Sequence, residues 1–304
     1  MAWMNRREML LGLCAAPFAV RELAGHGQQP AGSELVVCGW DEVFILAPGS
    51  EATPSFRKVW SWRAADRPEM PADFKPLFRT TDDCKPVDAG RRILISSSGG
   101  AVAIVERETG RATFFARVVN AHSVELLPGE RLAAAASVSQ SPGANRLVIF
   151  DLGTGRELGS DPLHSGHGVV WDEKRGVLWA LGGDVLRAYD VGTAGAPKLE
   201  RTFEIALPSP GGHDLTAIPG TDRLFVSTVP HCYEFDRERR QFTLHPDLGG
   251  RDNVKSYHVH PGTGRVVFVQ AEKPEWWSEH LHFLNPAGTL RLPGERLYKA
   301  RWIA

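Results

Sequence analysis

Short apolar segments separated by polar turns recur along most of the chain, and many of them alternate apolar with polar residues. Such alternation is the pattern of half-buried β-strands. The clearest unit, residues 121–132, contains a histidine, runs to a Pro-Gly turn and leads into a second apolar segment. Related units occupy residues 166–178, 212–224 and 254–266. The sequence is therefore built from repeats, and this unit opens each one.

Each repeat continues with a third, alternating segment and a fourth, more polar one. The residues that mark the first segment are 38 to 46 positions apart. About four strands in 40 to 45 residues is the period of a β-propeller. Lys85 is an alternative to Cys84 as the first of these anchors. The anchors are Cys84, His122, His167, His213, Lys255 and Lys299.

The two ends of the sequence are incomplete in complementary ways. Residues 297–303 match a first strand with nothing after it, whereas residues 35–62 supply a second, third and fourth strand with nothing before them. Joined, they complete one blade and leave no exposed sheet edge. We therefore predict an all-β fold, a six-bladed β-propeller with four-stranded blades. The C-terminal strand closes the ring by joining the N-terminal strands, and residues 34–304 form a single domain.

Residues 1–33 are expected to be an export signal and spacer. Arg6 and Arg7 precede an apolar run that extends to Val20, as in a signal peptide. Adjacent arginines followed by Met-Leu-Leu favour the twin-arginine route, and an ordinary secretory signal or a membrane anchor is the alternative. We predict a periplasmic or secreted protein without membrane contact after signal removal.

Composition narrows the class of partner. The 304 residues carry a net charge of −1 and no basic stripe with interleaved aromatic residues, which argues against nucleic acid. No Cys-x-x-Cys pair is present, so Cys38, Cys84 and Cys232 are expected to be small buried residues, or one disulfide and a free thiol. We expect a monomer that binds a small ligand.

A propeller would bring the anchors together, because the first strand of every blade lines the central channel. Arg301 lies two residues after Lys299 and so faces the same side of its strand. The turns between second and third strands are expected at the same mouth. Together these residues predict a concave polar site with aromatic walls, the default place for a ligand. The turns contribute Trp40, Asp41, His231, Glu272, Trp276 and Trp277.

The chemistry of this site stays open between three alternatives. His122, His167 and His213 could hold one divalent metal ion, Zn²⁺ or Mn²⁺, although no carboxylate is obviously a ligand and two lysines nearby would repel a cation. A metal-free site could use the same histidines and Lys255 as acid or base groups. The histidines could also be purely structural.

The cationic residues sharpen the expected ligand. Lys255, Lys299 and Arg301 suit an anion such as a uronate carboxylate or a phosphate. Trp276 and Trp277 suit stacking on a sugar face, with blade packing as the alternative.

Several of these segments carry a resemblance to a known family. They are residues 120–123, 166–172, 212–215, 254–256 and 275–277. The chain resembles, over about residues 34–304, a bacterial family of exported six-bladed β-propellers of unassigned function. The architecture is also similar, at the level of fold alone, to propeller lyases that hold a metal with histidines from successive blades.

The resulting prediction is an exported propeller whose channel binds a small anionic or carbohydrate ligand. Its enzymatic form would be a metal-assisted carbohydrate lyase or hydrolase. The alternative is a non-catalytic propeller that binds a ligand or another protein.

Overall fold

The computed structural model describes residues 33–49 and 56–304. Within them, 24 strands form six separate four-stranded sheets, and each sheet is antiparallel. The predicted six-bladed propeller is confirmed. The predicted export signal lies outside the described residues.

The first three strands belong to the blade that closes the ring. They are β1 (Glu34–Gly39), β2 (Glu42–Pro48) and β3 (Phe56–Trp62). Two 3₁₀ helices, Ala64–Asp66 and Lys75–Phe78, lie in the segment that crosses to the next blade.

Five blades follow, each made of consecutive strands, with the first strand nearest the channel and the fourth outermost. Blade 1 contains β4 (Thr81–Val87), β5 (Arg92–Ser97), β6 (Ala101–Glu106) and β7 (Ala112–Arg117). Blade 2 contains β8 (Ala121–Leu127), β9 (Arg131–Ala136), β10 (Arg146–Asp151) and β11 (Glu157–Pro162). Blade 3 contains β12 (Gly168–Asp172), β13 (Val177–Leu181), β14 (Val185–Gly192) and β15 (Pro197–Ala206). Blade 4 contains β16 (Asp214–Ala217), β17 (Arg223–Ser227), β18 (Cys232–Asp236) and β19 (Gln241–Leu244). Blade 5 contains β20 (Val254–Val259), β21 (Val266–Gln270), β22 (His280–Leu284) and β23 (Gly288–Arg291).

The last strand, β24 (Lys299–Ile303), closes the ring. It pairs antiparallel with β1, with Cys38 opposite Lys299 and Val36 opposite Arg301. The closing blade therefore has the order β24, β1, β2, β3, with its innermost strand from one end of the chain and its other three from the other end. No helix of the described residues is long and apolar enough to span a membrane.

The core lies between the blades. Each pair of neighbouring blades encloses its own cluster of buried apolar side chains, and six such clusters surround the channel. Because each sheet packs against a blade on both faces, inner strands such as β9 are buried along their whole length. Outer strands such as β15 contain half-buried and exposed residues instead. This packing fixes the first strands around the axis, and their side chains form the channel.

Candidate functional site

In three of the six blades, a β-bulge at the start of the first strand places one side chain at the channel mouth. In blades 1, 2 and 5 the register shifts around Asp82, His122 and Lys255, which are the extra residues of their strands. A bulge re-aims a side chain without disturbing the rest of the ladder. Here it turns two consecutive side chains towards the channel.

The other three blades reach the same arrangement just before the strand begins. The N–H groups of His167, His213 and Tyr298 donate to backbone carbonyls of the second strand, each at 2.9 Å. One residue per blade therefore occupies an equivalent place at one end of the channel, which we call the histidine mouth. We call the six residues the mouth ring: Asp82, His122, His167, His213, Lys255 and Tyr298.

Four of the six predicted anchors belong to the mouth ring, and two do not. The assignment of Cys84 to the ring is wrong, because Cys84 lies fully buried in the cluster between the closing blade and blade 1. Asp82, the extra residue of the bulge two positions earlier in the sequence, takes its place. Lys299 is also misplaced by one residue, and Tyr298 occupies the ring position of the closing blade.

The three histidines follow one another around the ring. The imidazole centroids of His122 and His167 are 4.3 Å apart, and those of His167 and His213 are 5.2 Å apart. The Nδ1–H groups of His122 and His167 donate to nearby backbone carbonyls at 3.1 and 2.8 Å, which leaves Nε2 of a neutral imidazole as an acceptor. Burial, followed by the neighbouring histidines, lowers the pKa of His167 well below its usual value.

The histidines are adjacent without converging on a common point. Among the described residues, no group of three or more His, Cys, Asp or Glu side chains is placed to hold a metal ion. The arrangement therefore adds no support to the metal hypothesis.

Lys255 is the only lysine or arginine of the mouth ring. Its Nζ lies 3.0 Å from Nε2 of His213 and donates to it, and the side chain forms no ion pair with a described carboxylate within 4.0 Å. Burial, and then the charge of Lys299, lower the pKa of Lys255 to about 8. A desolvated ammonium without an anionic partner is costly to hold.

His213 completes this pair with an unused donor. Because Nε2 accepts from Lys255, the proton of the neutral imidazole is on Nδ1. Nδ1 is buried and has no hydrogen-bond partner within the described part of the chain. Burial, and then Lys255, lower the pKa of His213 well below its usual value. This side of the mouth therefore offers hydrogen-bond donors and a positive charge.

The carboxylate of Asp82 lies two blades away from Lys255, on the far side of Tyr298. Its Oδ2 accepts the backbone N–H of Ser98 at 2.5 Å, and its Oδ1 is 3.7 Å from Nε2 of His122. Burial raises the pKa of Asp82, although the charge of a protonated His122 would lower it. The ring is therefore asymmetric. Asp82 and Lys255 are separated by Tyr298 on one side and by the three histidines on the other.

One layer below the ring, a buried ion network fills the channel. Lys299 Nζ lies 3.0 Å from Asp214 Oδ1, and both nitrogens at the tip of the Arg301 guanidinium lie 2.7 and 3.0 Å from the same carboxylate. Arg301 also contacts Asp83 at 3.2 Å. Although burial alone would raise it, Arg301 and Lys299 hold the pKa of Asp214 well below its usual value. Lys299 and Arg301 are thus committed to internal carboxylates, not open to an external anion as the sequence suggested.

A cluster of tryptophans borders the ring. Trp276 stacks on Trp40 with centroids 4.8 Å apart, and its edge meets the ring of Tyr298 at 5.5 Å. The Arg296 guanidinium lies 4.5 Å from the Trp40 ring and 5.4 Å from that of Trp277. Trp276 is 41 % exposed, the most open of the aromatic side chains near the mouth.

The remaining predicted residues contact their own loop or a neighbouring segment. Glu272 accepts from Ser278 and contacts His280, each at 2.5 Å. His231 contacts the carbonyl of Gly249 at 3.0 Å, and Asp41 lies 3.7 Å from Arg63. No hydrogen bond or ion pair joins Asp41, His231 or Glu272 to the mouth ring in residues 33–49 and 56–304.

The sequence reading missed Asp82, Asp83 and Tyr298. The signal for the first two is the Asp-Asp pair immediately before Cys84, since two polar residues side by side fit a bulge better than a regular strand. Tyr298 carries no such signal. It is an aromatic residue just before the strand that begins at Lys299, and apolar residues are common at that position.

Fold and site together define the class: a six-bladed β-propeller whose channel is closed by buried ion pairs beneath a histidine-lined mouth. The chain belongs to a family of unknown function, DUF6528, which matches residues 50–304. No curated protein matches the sequence.

Proposed function

We propose that the histidine mouth binds a small anionic ligand, and that the ligand is a carboxylate-bearing sugar. The observation that carries this proposal is the Lys255 ammonium, which is 5 % exposed and has no carboxylate partner among the described residues. An anion would supply the missing partner, and charge-assisted hydrogen bonds are the strong ones. The other cations of the channel have internal partners.

The donors next to Lys255 fit a carboxylate. Lys255 keeps two of its three N–H donors after the bond to His213, whereas the unused Nδ1–H of His213 is buried. Two oxygens of one carboxylate can accept from such a set. His122 and His213 are partly exposed, so the ring is reached from the histidine mouth.

The sugar part of the proposal rests on Trp276. Trp40 has Trp276 on one face and the Arg296 guanidinium nearby, so its faces are used within the protein. Trp276 is the more exposed partner and lies beside Tyr298 of the mouth ring. An open indole face suits the apolar face of a pyranose.

Two modes of action are compatible with this ligand, and the binding mode is the one we favour. In a catalytic mode, the Lys255 ammonium would hold the carboxylate and the neutral imidazole of His167, through Nε2, would remove the proton next to it, the step that starts a uronate lyase reaction. The alternative is a propeller that binds its ligand without changing it. We further propose, from the pattern of residues 1–33, that the protein acts in the periplasm or outside the cell.

The test is binding of glucuronate and glucose by calorimetry. We expect glucuronate to bind and glucose to bind much more weakly. Replacing Lys255 by Met should weaken glucuronate about tenfold or more, the usual loss for a hydrogen bond to a charged group. Replacing His213 by Ala should weaken it less. Leu244→Ala, on an exposed outer strand, is the matched control.

The pH dependence gives a second measure of the same contact. Only protonated Lys255 attracts an anion, and its pKa is about 8. Affinity should be constant below pH 8 and fall above it, until it reaches the affinity of Lys255→Met. Equal binding of glucuronate to Lys255→Met, or equal affinities for glucuronate and glucose, would contradict the proposal.

A further inference from the structure

The opposite end of the channel contains a cavity that the histidine mouth does not share. Its volume is about 330 Å³, within the range of small-molecule sites, and first strands from all six blades line it. The Pro-Gly turns of the repeats stand at its rim, since Pro219 and Pro261 are among the lining residues. We call this end the opposite mouth.

The buried ion network separates the two mouths. Asp83, Asp214 and Lys299 are at most 1 % exposed, as is Arg301, which also lines the cavity from above. A ligand at one end therefore does not reach the other through the channel. The cavity is a site of its own.

The charges at the cavity cancel within the protein. Lys85 Nζ lies 3.0 Å from Glu125 Oε2 and also donates to the carbonyl of Val169. Arg301 is neutralised by Asp214 and Asp83, as described above. An anion entering this cavity would find no unpaired cation on the described residues, so it would lose its hydration without compensation.

One neutral donor at the cavity is unused. His258 Nδ1 accepts the backbone N–H of Trp302 at 3.0 Å, so the proton of its imidazole is on Nε2. Burial, and then the charge of Arg301, lower the pKa of His258 to about 3. Its Nε2–H has no acceptor in the described portion of the structure. The buried Nε–H of Arg301 also has none.

Most of the remaining wall is apolar. Val87, Val170, Leu215 and Val259 face the space between the donors and the rim. We propose that the opposite mouth is a second binding site, which takes a compact, uncharged, largely apolar molecule whose carbonyl oxygen accepts from His258. Its ligand differs in charge from the sugar acid proposed for the histidine mouth.

The experiment uses acetophenone, which has one carbonyl group and an apolar ring, and benzoate as its anionic counterpart. Methyl-selective NMR titration follows the valine and leucine signals. Acetophenone should shift the signals of Val87, Val170 and Val259 with a dissociation constant of about 1 mM, which is what a ligand of this size can reach. Benzoate should leave those signals unchanged.

Two variants separate the hydrogen bond from the cavity. Asn can place its side-chain oxygen where Nδ1 of His258 lies, so His258→Asn keeps the acceptor for Trp302 and removes only the Nε2 donor. We expect it to weaken acetophenone about fivefold. Val170→Phe fills the cavity and should abolish the titration. Leu244→Ala should change neither result.

Three results would overturn the proposal. They are the absence of a saturable shift with acetophenone in the parent protein, a preference for benzoate at the same signals, and binding that neither His258→Asn nor Val170→Phe alters. If Val170→Phe does not fold, the ratio of the acetophenone dissociation constants of His258→Asn and the parent protein decides the question alone.

Discussion

The two mouths of the channel are built from the same first strands, yet they differ in charge. At the histidine mouth, Lys255 has no carboxylate partner and His213 has an unused donor among the described residues. At the opposite mouth, Lys85 is paired with Glu125 and the imidazole of His258 is neutral. The difference shows that one ring of strands can offer a site for an anion at one end and a site for an uncharged molecule at the other.

The bulge is the structural cause of this difference. A regular strand turns every second residue towards the channel. The bulged residues Asp82, His122 and Lys255 add one more polar side chain at the histidine mouth only. Their blades therefore present two polar layers in succession there, and the lower layer holds Asp83, Ser123 and Ser256. Towards the opposite mouth the strands are regular, and apolar side chains take a larger share of the wall.

The ion network between the mouths is expected to make the largest contribution of any polar group to stability. Asp214→Asn keeps the shape of the side chain but leaves Lys299 and Arg301 with Asp83 as their nearest carboxylate. Breaking a buried pair in this way typically costs about 3–5 kcal/mol. We expect a loss of that size in the free energy of unfolding, measured by urea denaturation at pH 7.

Asp222→Asn is the matched control for this measurement. Asp222 also pairs with two cations, Lys174 and Arg175, but its side chain is 44 % exposed. An exposed ion pair contributes about 0–1 kcal/mol. If Asp214→Asn lowers the free energy of unfolding no more than Asp222→Asn does, the buried network between the two mouths does not stabilise the fold more than an exposed ion pair.

The pH dependence of stability should show the same network. The pKa values of Asp83 and Asp214 are lowered in the folded protein, so these carboxylates stabilise the fold above about pH 4, the value of an unfolded aspartate. As pH falls below 4 the unfolded chain takes up protons first, and stability decreases. The decrease should be smaller in Asp214→Asn. Parallel acid profiles for the two proteins would contradict this prediction.

Lys255→Met should stabilise the protein, which sharpens the contrast between the mouths. The unfolded chain protonates this lysine below its usual pKa of 10.5, whereas the folded protein does so only below about pH 8. Stability therefore falls as pH decreases from 10.5 to 8, and the penalty of about 3 kcal/mol stays constant below 8. Met removes the penalty but also the hydrogen bond to His213, so a net gain of about 2 kcal/mol is expected at pH 7.

The gain should disappear as the pH approaches 10.5, because the parent protein then holds a neutral amine. Thermal unfolding of both proteins across this range tests the expectation. At the opposite mouth, Lys85→Met should have the reverse effect at pH 7, since it leaves Glu125 buried without its cation. If both lysine variants change stability in the same direction, the charge difference between the mouths is not real.

The fold could be predicted from the sequence because its signals are local and repeated. Alternating strands, Pro-Gly turns and a regular spacing are each visible within one repeat, and the incomplete ends needed only to be joined. The same spacing brought His122, His167, His213 and Lys255 into one ring. At these positions the repeat pattern of each blade is enough to predict that the residue lies at the channel mouth.

The parts that the sequence did not predict depend on contacts between distant blades. Arg301 and Lys299 look like free cations in the sequence, yet their partners are Asp83 and Asp214, far away along the chain. A bulge inserts one residue without a fixed sequence signal, so Cys84 was placed in the ring instead of Asp82. A single propeller sequence thus does not predict ion pairs between distant blades or register shifts of one residue.

Trp276→Ala should have the smallest effect on stability and a clear effect on binding. The side chain is 41 % exposed and contacts Trp40 and Tyr298 on its inner side, so its loss should cost about 1 kcal/mol or less. Glucuronate affinity should fall about fivefold, because stacking on the sugar face is lost while the contact with Lys255 remains. Calorimetry on Trp276→Ala, Lys255→Met and the double variant separates the two contacts. Independent contributions would multiply, as expected for a ligand whose carboxylate meets Lys255 and whose ring meets Trp276. A glucuronate affinity that Trp276→Ala leaves unchanged would restrict the site to the anion alone, and a simple carboxylate would then bind as well as the sugar acid.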